Sequence, residues 1–335
     1  MEKKDLLIIY NIFGIRYNED AQIEEYKNAL RSLFWHLDRY SKNQRVRVAL
    51  GACLVSHRCV RALLDHFPDR LEAFLFPDRY TCQIVTNKVA LECEKRYNEQ
   101  YRGYFYLSSG LYFPKLENWK LFERIDSHLK KSSQTGILQL QVNNDNGYHF
   151  LGYGPFNWIN NIDFSKDYKM GLGNCANFHA AVVHRSLRDY YGVPITDVHG
   201  LCGMESVLSY SCAALKRDYV LMGDSCLHHK ARSDSGGATN LKDHGAIPCH
   251  TQLYGRDKRD IARDELAREV GIGYYPGLQA NNEPDWNGTI LEHDLAKYSE
   301  DLHALDPRNR EVAKKYFFSS KEELNYDKIK FEAIT

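Results

Sequence analysis

Four short apolar runs, separated by segments with helical periodicity, constrain the fold of this chain most strongly. The runs are DLLIIYNIF at 5–13, RVRVALGACLV at 45–55, LEAFLFP at 71–77 and YFYLSSG at 104–110. The segments between them, 20–40, 56–67 and 81–97, repeat apolar residues at helical spacing, and Ser56 is a candidate N-cap. Strands that alternate with helices at this spacing predict βαβ units. We therefore expect a mostly parallel sheet with helices on both faces.

The rest of the chain predicts further elements around a long loop. Helix 117–131 and strand 136–142, which we expect to be antiparallel or peripheral, precede a stretch at 143–177 rich in Gly, Asn and aromatic residues. A loop of that length inside a compact domain usually serves as a lid or a binding loop. The elements predicted after it are helices at 178–191 and 201–217, a strand at 219–223, and charged helices at 256–270, 290–304, 307–316 and 320–330.

These elements predict two parts of the chain. Residues 1–235 form an α/β domain, with a first half at about 1–115 and a second half at about 116–235. Residues 236–335 form a mobile loop and a helical C-terminal extension. The extension is a candidate contact surface for a membrane, a partner enzyme or a homodimer formed through its helices.

Composition excludes several classes of partner and compartment. Lys plus Arg and Asp plus Glu both total 44, so no basic field argues for nucleic acid. The nine cysteines include no Cys-x-x-Cys pair, which indicates reduced thiols rather than a disulfide framework. No segment approaches transmembrane length, and the N-terminus has the pattern of a strand rather than a signal peptide. We expect a cytoplasmic protein, peripheral to a membrane at most.

Candidate functional groups lie at the predicted strand ends. The chain lacks GxGxxG after its first strand, and it lacks the P-loop and GxSxG motifs, which excludes the corresponding nucleotide-binding and hydrolase classes. In parallel α/β sheets, functional groups gather at the carboxyl ends of the strands. Asp224, His228 and His229 follow strand 219–223 and form a candidate partial metal site. The alternative is that these histidines are ordinary polar residues at a strand end.

Five stretches follow one another in a characteristic order. They are IIYNIFG (8–14), TNKVAL (86–91), YLSSGLYF (106–113), HGLCGMES (199–206) and GDSCLHHK (223–230). This order resembles the GT-A glycosyltransferases, over roughly residues 5–230. The resemblance implies a GT-A-like α/β fold, a UDP- or GDP-activated sugar as donor, and a glycan hydroxyl as acceptor in surface polysaccharide or glycoconjugate synthesis.

The resemblance also implies a sugar-donor site, but without the family's metal motif. The family holds Mn²⁺ or Mg²⁺ with an Asp-x-Asp motif after the fourth strand, where this chain has Ser108-Ser109-Gly110. Hard cations prefer carboxylate oxygens, so we expect either metal-independent transfer or replacement ligands such as Asp224 with His228 or His229. Backbone N–H groups and lysines would then hold the diphosphate. The implied donor-binding residues are Tyr10, Asn11, Asp78, Asn87, Lys88, Ser108, Ser109, Gly110 and Lys230.

Glu205 is the predicted general base, because the resemblance implies a carboxylate at the start of the helix that follows Gly203. The helix dipole favours its ionised form, and the alternative is that Glu205 only stabilises the helix start. Asp197 is the second candidate base, although a turn after Pro194 explains it equally well. We expect inversion at the sugar, and retaining chemistry stays open because the two share this fold. The predicted acceptor-binding residues are Tyr153, Trp158 and His199.

Two rival functions remain open. A non-catalytic nucleotide- or sugar-binding protein of the same fold would explain the missing acidic motif at 108–110. A sugar nucleotidyltransferase would carry a glycine-rich, basic loop after the first strand, of which Gly14-Ile15-Arg16 is a faint version.

Overall fold

The computed structural model describes residues 2–14, 19–77, 82–131, 135–144, 149–150, 165–170, 179–195, 212, 215, 217–229 and 326–334. The helices are α1 (Glu19–Leu37), α2 (His57–His66), α3 (Cys82–Tyr97), α4 (Leu121–Lys130) and α5 (Arg185–Tyr191), with 3-10 turns at Asn43–Arg45 and Tyr326–Lys328. The strands are β1 (Glu2–Phe13), β2 (Val46–Cys53), β3 (Glu72–Phe76), β4 (Glu99–Leu107), β5 (Leu111–Tyr112), β6 (Thr135–Asn144), β7 (His149–Phe150), β8 (Tyr168–Met170), β9 (Ala180–His184), β10 (Asp218–His229) and β11 (Glu332–Ile334).

In the described residues these strands form one mixed sheet, in the order β11-β3-β2-β1-β4-β9-β6-β10-β5, with β7 beside β6 and β8 beside β10. The first four strands are parallel to one another, and β6 is parallel to β10. β9 runs antiparallel between β4 and β6. The predicted α/β fold, with a sheet that is mostly parallel in its core and flanked by helices, is confirmed.

β1 explains why the first strands are continuous apolar runs. Leu6, Ile8 and Tyr10 pack in the core beneath α1, α2 and α4, whereas Leu7 and Ile9 pack in the core beneath α3. A strand covered on both faces needs apolar side chains at every position rather than at alternate ones. The predicted cap of α2 is also confirmed, because the Ser56 hydroxyl accepts a hydrogen bond from the Cys59 N–H at 3.0 Å.

The strand β9 was not predicted. The sequence pattern favoured a helix over 178–191, but Ala180–His184 is a strand and only Arg185–Tyr191 is helical. The run contains two valines, whose branched side chains suit a strand, and both neighbours in the sheet bond to it. β6 is consequently internal, so its predicted antiparallel pairing is right for β9 but its predicted peripheral place is wrong.

β10 is longer than the predicted strand 219–223. It spans Asp218–His229, and its pairing with β6 shifts register between Met222 and Leu227. Such a shift marks a β-bulge, in which extra residues are left out of the ladder. Asp224 lies in this bulge with a φ of 44°, a conformation that Asp and Asn adopt more readily than most residues.

The segment 326–334 joins the sheet rather than continuing the predicted helix 320–330. After a 3-10 turn it forms β11, which pairs antiparallel with β3 at the edge of the sheet. Ile329 is buried in the core beneath α3, and Phe331 lies against Phe74 and Phe76, with ring centroids 5.8 and 6.1 Å apart. The other predicted C-terminal helices, and most of helix 201–217, lie outside the described residues. The division at residue 235 stays a prediction.

Each helix among the described residues is too short or too polar to cross a membrane.

Candidate functional site

The carboxyl ends of β1 and β4 form the candidate site, because the chain changes direction across the sheet there. From β1 the chain builds β2 and β3 on one side and then returns to place β4 on the other side of β1. The two strands are in parallel register up to the pair Tyr10–Leu107. Ligands of open parallel sheets bind in the crevice beyond the carboxyl ends at such a switch point. The turn Ser108–Gly110 lies directly after β4.

Tyr10 and Gly110 stabilise the conformation of the turn Ser108–Gly110. Gly110 has a φ of 79°, which glycine adopts without a steric penalty, and its N–H donates to the Tyr10 hydroxyl at 3.1 Å. Tyr10 is fully buried, and burial raises the pKa of its phenol, so the group stays neutral. The structure therefore shows Tyr10 as a support of the 108–110 turn, and its binding of a sugar donor stays a prediction.

Asn11 ties three elements together at the same edge. Its side-chain amide donates to the Thr86 hydroxyl of α3 at 3.0 Å and to the Leu107 carbonyl of β4 at 3.3 Å, and the residue is buried. Gly51 of β2 makes room for it, since a Cβ at that position would lie 2.8 Å from Asn11 Oδ1 and 2.6 Å from Val85 Cγ1. These contacts give Asn11 a structural role beneath the crevice.

Ser108, His179 and His229 form a cluster, here called the histidine cluster, at the ends of three strands. Ser108 follows β4, His179 precedes β9 and His229 ends β10. The Ser108 N–H donates to the His179 carbonyl at 2.9 Å, and Ser108 Oγ lies 3.0 Å from His179 Nδ1. The His179 ring stacks on the His229 ring, with centroids 5.0 Å apart. Two residues that the sequence assigned to separate sites are thus joined.

His179 itself was missed from the sequence. Its assignment to a helix over 178–191 hid the fact that it stands at a strand end, as the other candidates do. The signal that could have found it is the run Ala180–His184, read as a strand with a histidine at its start.

The electrostatics of the histidine cluster are those of neutral hydrogen-bonding groups. Burial, with a smaller contribution from His229, lowers the pKa of His179 to about 3, so its imidazole is uncharged at neutral pH. A neutral imidazole carries one donor and one acceptor nitrogen, and a serine hydroxyl can do both. The cluster can therefore offer hydrogen bonds to phosphate oxygens, but Ser108 and His179 contribute no positive charge.

The predicted metal ligands Asp224, His228 and His229 do not come together. Adjacent residues of a strand point to opposite faces, so His228 and His229 are separated by the sheet. Asp224 precedes His229 by five residues, and its exposed side chain belongs to the bulge, whereas His229 lies in the part of β10 that pairs again with β6. Within the described part of the chain, no group of three or more His, Cys, Asp or Glu side chains could hold a metal. The three residues therefore do not form such a group together, and a partial site of Asp224 with one of the histidines stays a prediction.

The bulge of β10 is held by groups from α4 and from the segment 165–170. Asp167 Oδ1 accepts from the Gly223 N–H at 2.8 Å, and Arg124 Nη2 donates to the Gly223 carbonyl at 2.7 Å. The Trp119 indole N–H donates to the Asp224 carbonyl. His128 Nε2 lies 3.0 Å from Asp167 Oδ2. The bulge is therefore a fixed part of the structure, positioned a few residues before His229.

We expect Gly223→Ala to destabilise this region. A Cβ on Gly223 would lie 2.5 Å from the carbonyl oxygens of Ser165 and Lys166, so the backbone of one segment must move. Forced overpacking of this kind typically costs about 1–3 kcal/mol of unfolding free energy, measured by urea denaturation. Asp224→Asn, an exposed change in the same bulge, should stay within about 0.5 kcal/mol of wild type. Equal stabilities of the two variants would contradict this packing argument.

Asn87 and Lys88 of α3 contact the C-terminal segment. Asn87 is fully buried, and its side chain bonds to the backbone of Ile195 and to the Tyr326 hydroxyl. The Lys88 ammonium lies 2.7 Å from Glu92 Oε1 and 5.0 Å from the centroid of the Phe331 ring. These partners give both residues a structural role, and their binding of a sugar donor stays a prediction.

Ser109, another residue of the predicted sugar-donor site, is half-buried in the turn between Ser108 and Gly110. The remaining predicted site residues lie outside the described residues. The residues outside are Asp78 and Lys230 of the sugar-donor site, the candidate bases Asp197 and Glu205, and the acceptor residues Tyr153, Trp158 and His199.

The folded protein should lose stability in acid. In the folded state, burial lowers the pKa of His179 from 6.5 to about 3. The pKa of His184 is lowered from 6.5 to about 4, mainly by burial and then by the charges of Arg217 and Arg102. The unfolded chain therefore binds more protons below about pH 6.5, so unfolding free energy falls as the pH drops from there towards 4. Urea denaturation at pH 4.5 to 7.5 measures this. His179→Asn and His184→Asn should each make the unfolding free energy depend less on pH, and asparagine can still cap α5 in place of His184. An unchanged pH dependence in both variants would contradict the assignment of the acid sensitivity to these two histidines.

Comparison with known proteins finds structural but no sequence matches. No family model and no curated protein matches the chain. Three similar solved structures are mannosyltransferase PcManGT from Pyrobaculum calidifontis with GDP-Man and Mn²⁺, GalNAc-T7 with UDP, GalNAc and Mn²⁺, and S. aureus TarS. Their TM-scores are 0.48, 0.49 and 0.46, with identities of 13%, 10% and 10%.

The overlap with these structures is partial. The matches cover 94%, 93% and 93% of this chain, but 74%, 57% and 55% of the other chains. This chain thus spans a little over half of the length of two of them.

Proposed function

We propose that this chain is a glycosyltransferase that uses a nucleotide-diphosphate sugar. The observation that carries the proposal is the switch point between β1 and β4, where the turn Ser108–Gly110 and the histidine cluster lie at one edge of the sheet. The crevice of a parallel sheet at such a point suits a nucleotide-like ligand. The order of sequence stretches that resembles GT-A glycosyltransferases supports a sugar as the group transferred.

The sugar donor would lie with its diphosphate against the 108–110 turn. Ser108 and His179 would supply hydrogen bonds to phosphate oxygens without a change of protonation at neutral pH. Lys230 is covalently next to His229 and would supply positive charge. The resulting site is expected to work without a metal ion, since Ser108-Ser109-Gly110 at the position of the Asp-x-Asp motif offers no carboxylate.

The reaction would be a single displacement at the anomeric carbon. Glu205 takes the proton from an acceptor hydroxyl, the hydroxyl oxygen bonds to the anomeric carbon, and the bond from that carbon to the diphosphate breaks. The nucleoside diphosphate leaves with the electron pair, and the transition state resembles an oxocarbenium ion. Asp197 is the alternative base. The configuration at the anomeric carbon inverts in this scheme.

The acceptor would be a hydroxyl of a glycan in surface polysaccharide or glycoconjugate synthesis. Tyr153 and Trp158 are proposed to stack on its sugar faces, and His199 is proposed to bind its hydroxyl groups.

A non-catalytic nucleotide- or sugar-binding protein is the second candidate. It is favoured by the turn Ser108–Gly110, which has no carboxylate at the position of the Asp-x-Asp motif. A panel of UDP- and GDP-sugars, assayed for hydrolysis and transfer with EDTA or with Mn²⁺, separates the two functions. Turnover that survives EDTA supports the proposal, whereas tight nucleotide binding without turnover of any donor supports the binding protein. Turnover that EDTA abolishes would show that the reaction requires a metal ion.

The histidine cluster can be tested directly by nucleotide binding. Ser108→Ala and His179→Ala should each weaken the affinity for UDP or GDP about tenfold, because each removes a hydrogen bond to a charged phosphate. Titration calorimetry measures the dissociation constants, and a thermal melt checks folding. The exposed His66→Gln is the matched control. Wild-type affinity in both cluster variants would remove the cluster from the site.

A further inference from the structure

Asn87 joins three parts of the chain that are far apart in sequence. Its Nδ2 donates to the Ile195 carbonyl at 2.6 Å and to the Tyr326 hydroxyl at 2.7 Å. Its Oδ1 accepts from the Ile195 N–H at 3.0 Å. The residue lies in α3, is fully buried, and uses both ends of its amide in these bonds. The side chain therefore links α3, the stretch after α5 and the C-terminal segment.

The bonds to Ile195 fix the backbone rather than a side chain. Asn87 pairs with both the N–H and the C=O of one residue, as a neighbouring strand would. Ile195 is fully buried, Val193 is nearly so, and the ring of Pro194 between them restricts the backbone further. The chain therefore leaves Ile195 from a defined position and in a defined direction.

The third partner, Tyr326, is fixed by the packing of its own segment. β11 pairs with β3, and Phe331 packs on Phe74. Ile329 is buried in the core beneath α3, the helix that carries Asn87. The Tyr326 hydroxyl is thus held at Asn87 by contacts several residues further along the chain.

We propose that Asn87 and Tyr326 are positioning residues, and that the C-terminal segment uses them to set the stretch that follows Ile195. Asp197 is two residues beyond Ile195, so at most about 7 Å of chain separates it from this junction. Glu205 follows eight residues later in the same stretch. The catalytic consequence rests on the proposed glycosyltransferase function; the structural consequence does not.

Tyr326→Phe tests the proposal with the smallest change, because it removes the hydroxyl and keeps the ring. Hydrogen exchange followed by mass spectrometry should show about fivefold faster exchange in peptides that cover Ile195, as expected for the loss of one hydrogen bond. Glu332→Gln is the matched control in the same segment, since it alters only the exposed contact of Glu332 with His57. Its exchange near Ile195 should equal that of wild type.

Kinetics on the same variants test the catalytic consequence. Tyr326→Phe should lower kcat about tenfold, because small misplacements of reacting groups are costly, while the donor KM and the nucleotide Kd stay unchanged. Unchanged exchange at Ile195, or equal changes in both variants, would overturn the positioning role. Faster exchange with an unchanged kcat would overturn its catalytic part. If wild type turns over no sugar donor, the proposed function fails, and the exchange result still decides the positioning role.

Discussion

Glu205→Gln is expected to bind UDP or GDP like wild type and to lower glycosyl transfer by about 10²–10⁴-fold. The amide has nearly the same shape as the carboxylate but cannot accept the acceptor proton, and loss of a general base costs rates of this order. Because the effect falls on transfer and not on donor binding, kcat should fall while the nucleotide dissociation constant is retained.

Asp197→Asn is the comparison that identifies the base. If Glu205 is the base, Asp197→Asn keeps transfer within a few-fold of wild type. If instead Asp197→Asn lowers transfer strongly and Glu205→Gln keeps it within a few-fold of wild type, Asp197 is the general base. Wild-type transfer in both variants would remove both carboxylates from the mechanism. Initial rates with the best sugar donor, together with calorimetric titration of the nucleotide, provide both quantities.

Arg188→Met is expected to lower the unfolding free energy by about 3–5 kcal/mol, because it leaves a buried carboxylate without its main partner. Arg188 of α5 bonds to Glu94 of α3 through Nε at 3.0 and 3.2 Å and through Nη2 at 2.7 Å. Glu94 is 7% exposed and also accepts from the Tyr104 hydroxyl. Arg185 lies 3.5 Å from the same carboxylate, so the lower part of the range is the expected result.

Arg58→Met provides the matched control for this prediction. Arg58 bonds to Glu19 and Asp20 at the protein surface, where solvent screening leaves ion pairs little effect on stability. Urea denaturation followed by circular dichroism measures both variants. The double variant Glu94→Gln with Arg188→Met should recover part of the loss, since it removes the buried charge. Equal losses for Arg188→Met and Arg58→Met would contradict the buried-pair argument.

The first half of the fold could be predicted because its signals are local. The strands β1 to β3 and the helices α1 to α3 agree with the predicted segments within a few residues. β4 was predicted too short, since it begins at Glu99, although its end near Ser108 was placed well enough to locate the turn. Each of these segments carries its own apolar period, and strands buried on both faces produce continuous apolar runs.

The second half could not be predicted in the same way, because its strands are defined by their partners. A short apolar run such as Ala180–His184 is compatible with a helix or a strand, and the pairing with β4 and β6 selects the strand. The same holds for β11, whose three residues form a strand only because β3 offers a free edge. β10 continues past its predicted end because the bulge lets it pair again with β6 at Leu227.

The sequence by itself determined the α/β class, the turn Ser108–Gly110 after the fourth strand, and the departure from the Asp-x-Asp motif. These properties follow from residue types and from periods of two to four residues. Only the tertiary structure decided that Ser108 and His229 meet through His179, that Asp224 lies in a bulge of β10, and that Asn87 bonds to Ile195 and Tyr326. These contacts join residues that lie roughly 50 to 240 positions apart in the sequence. They depend on the order of the strands in the sheet, which no local pattern encodes.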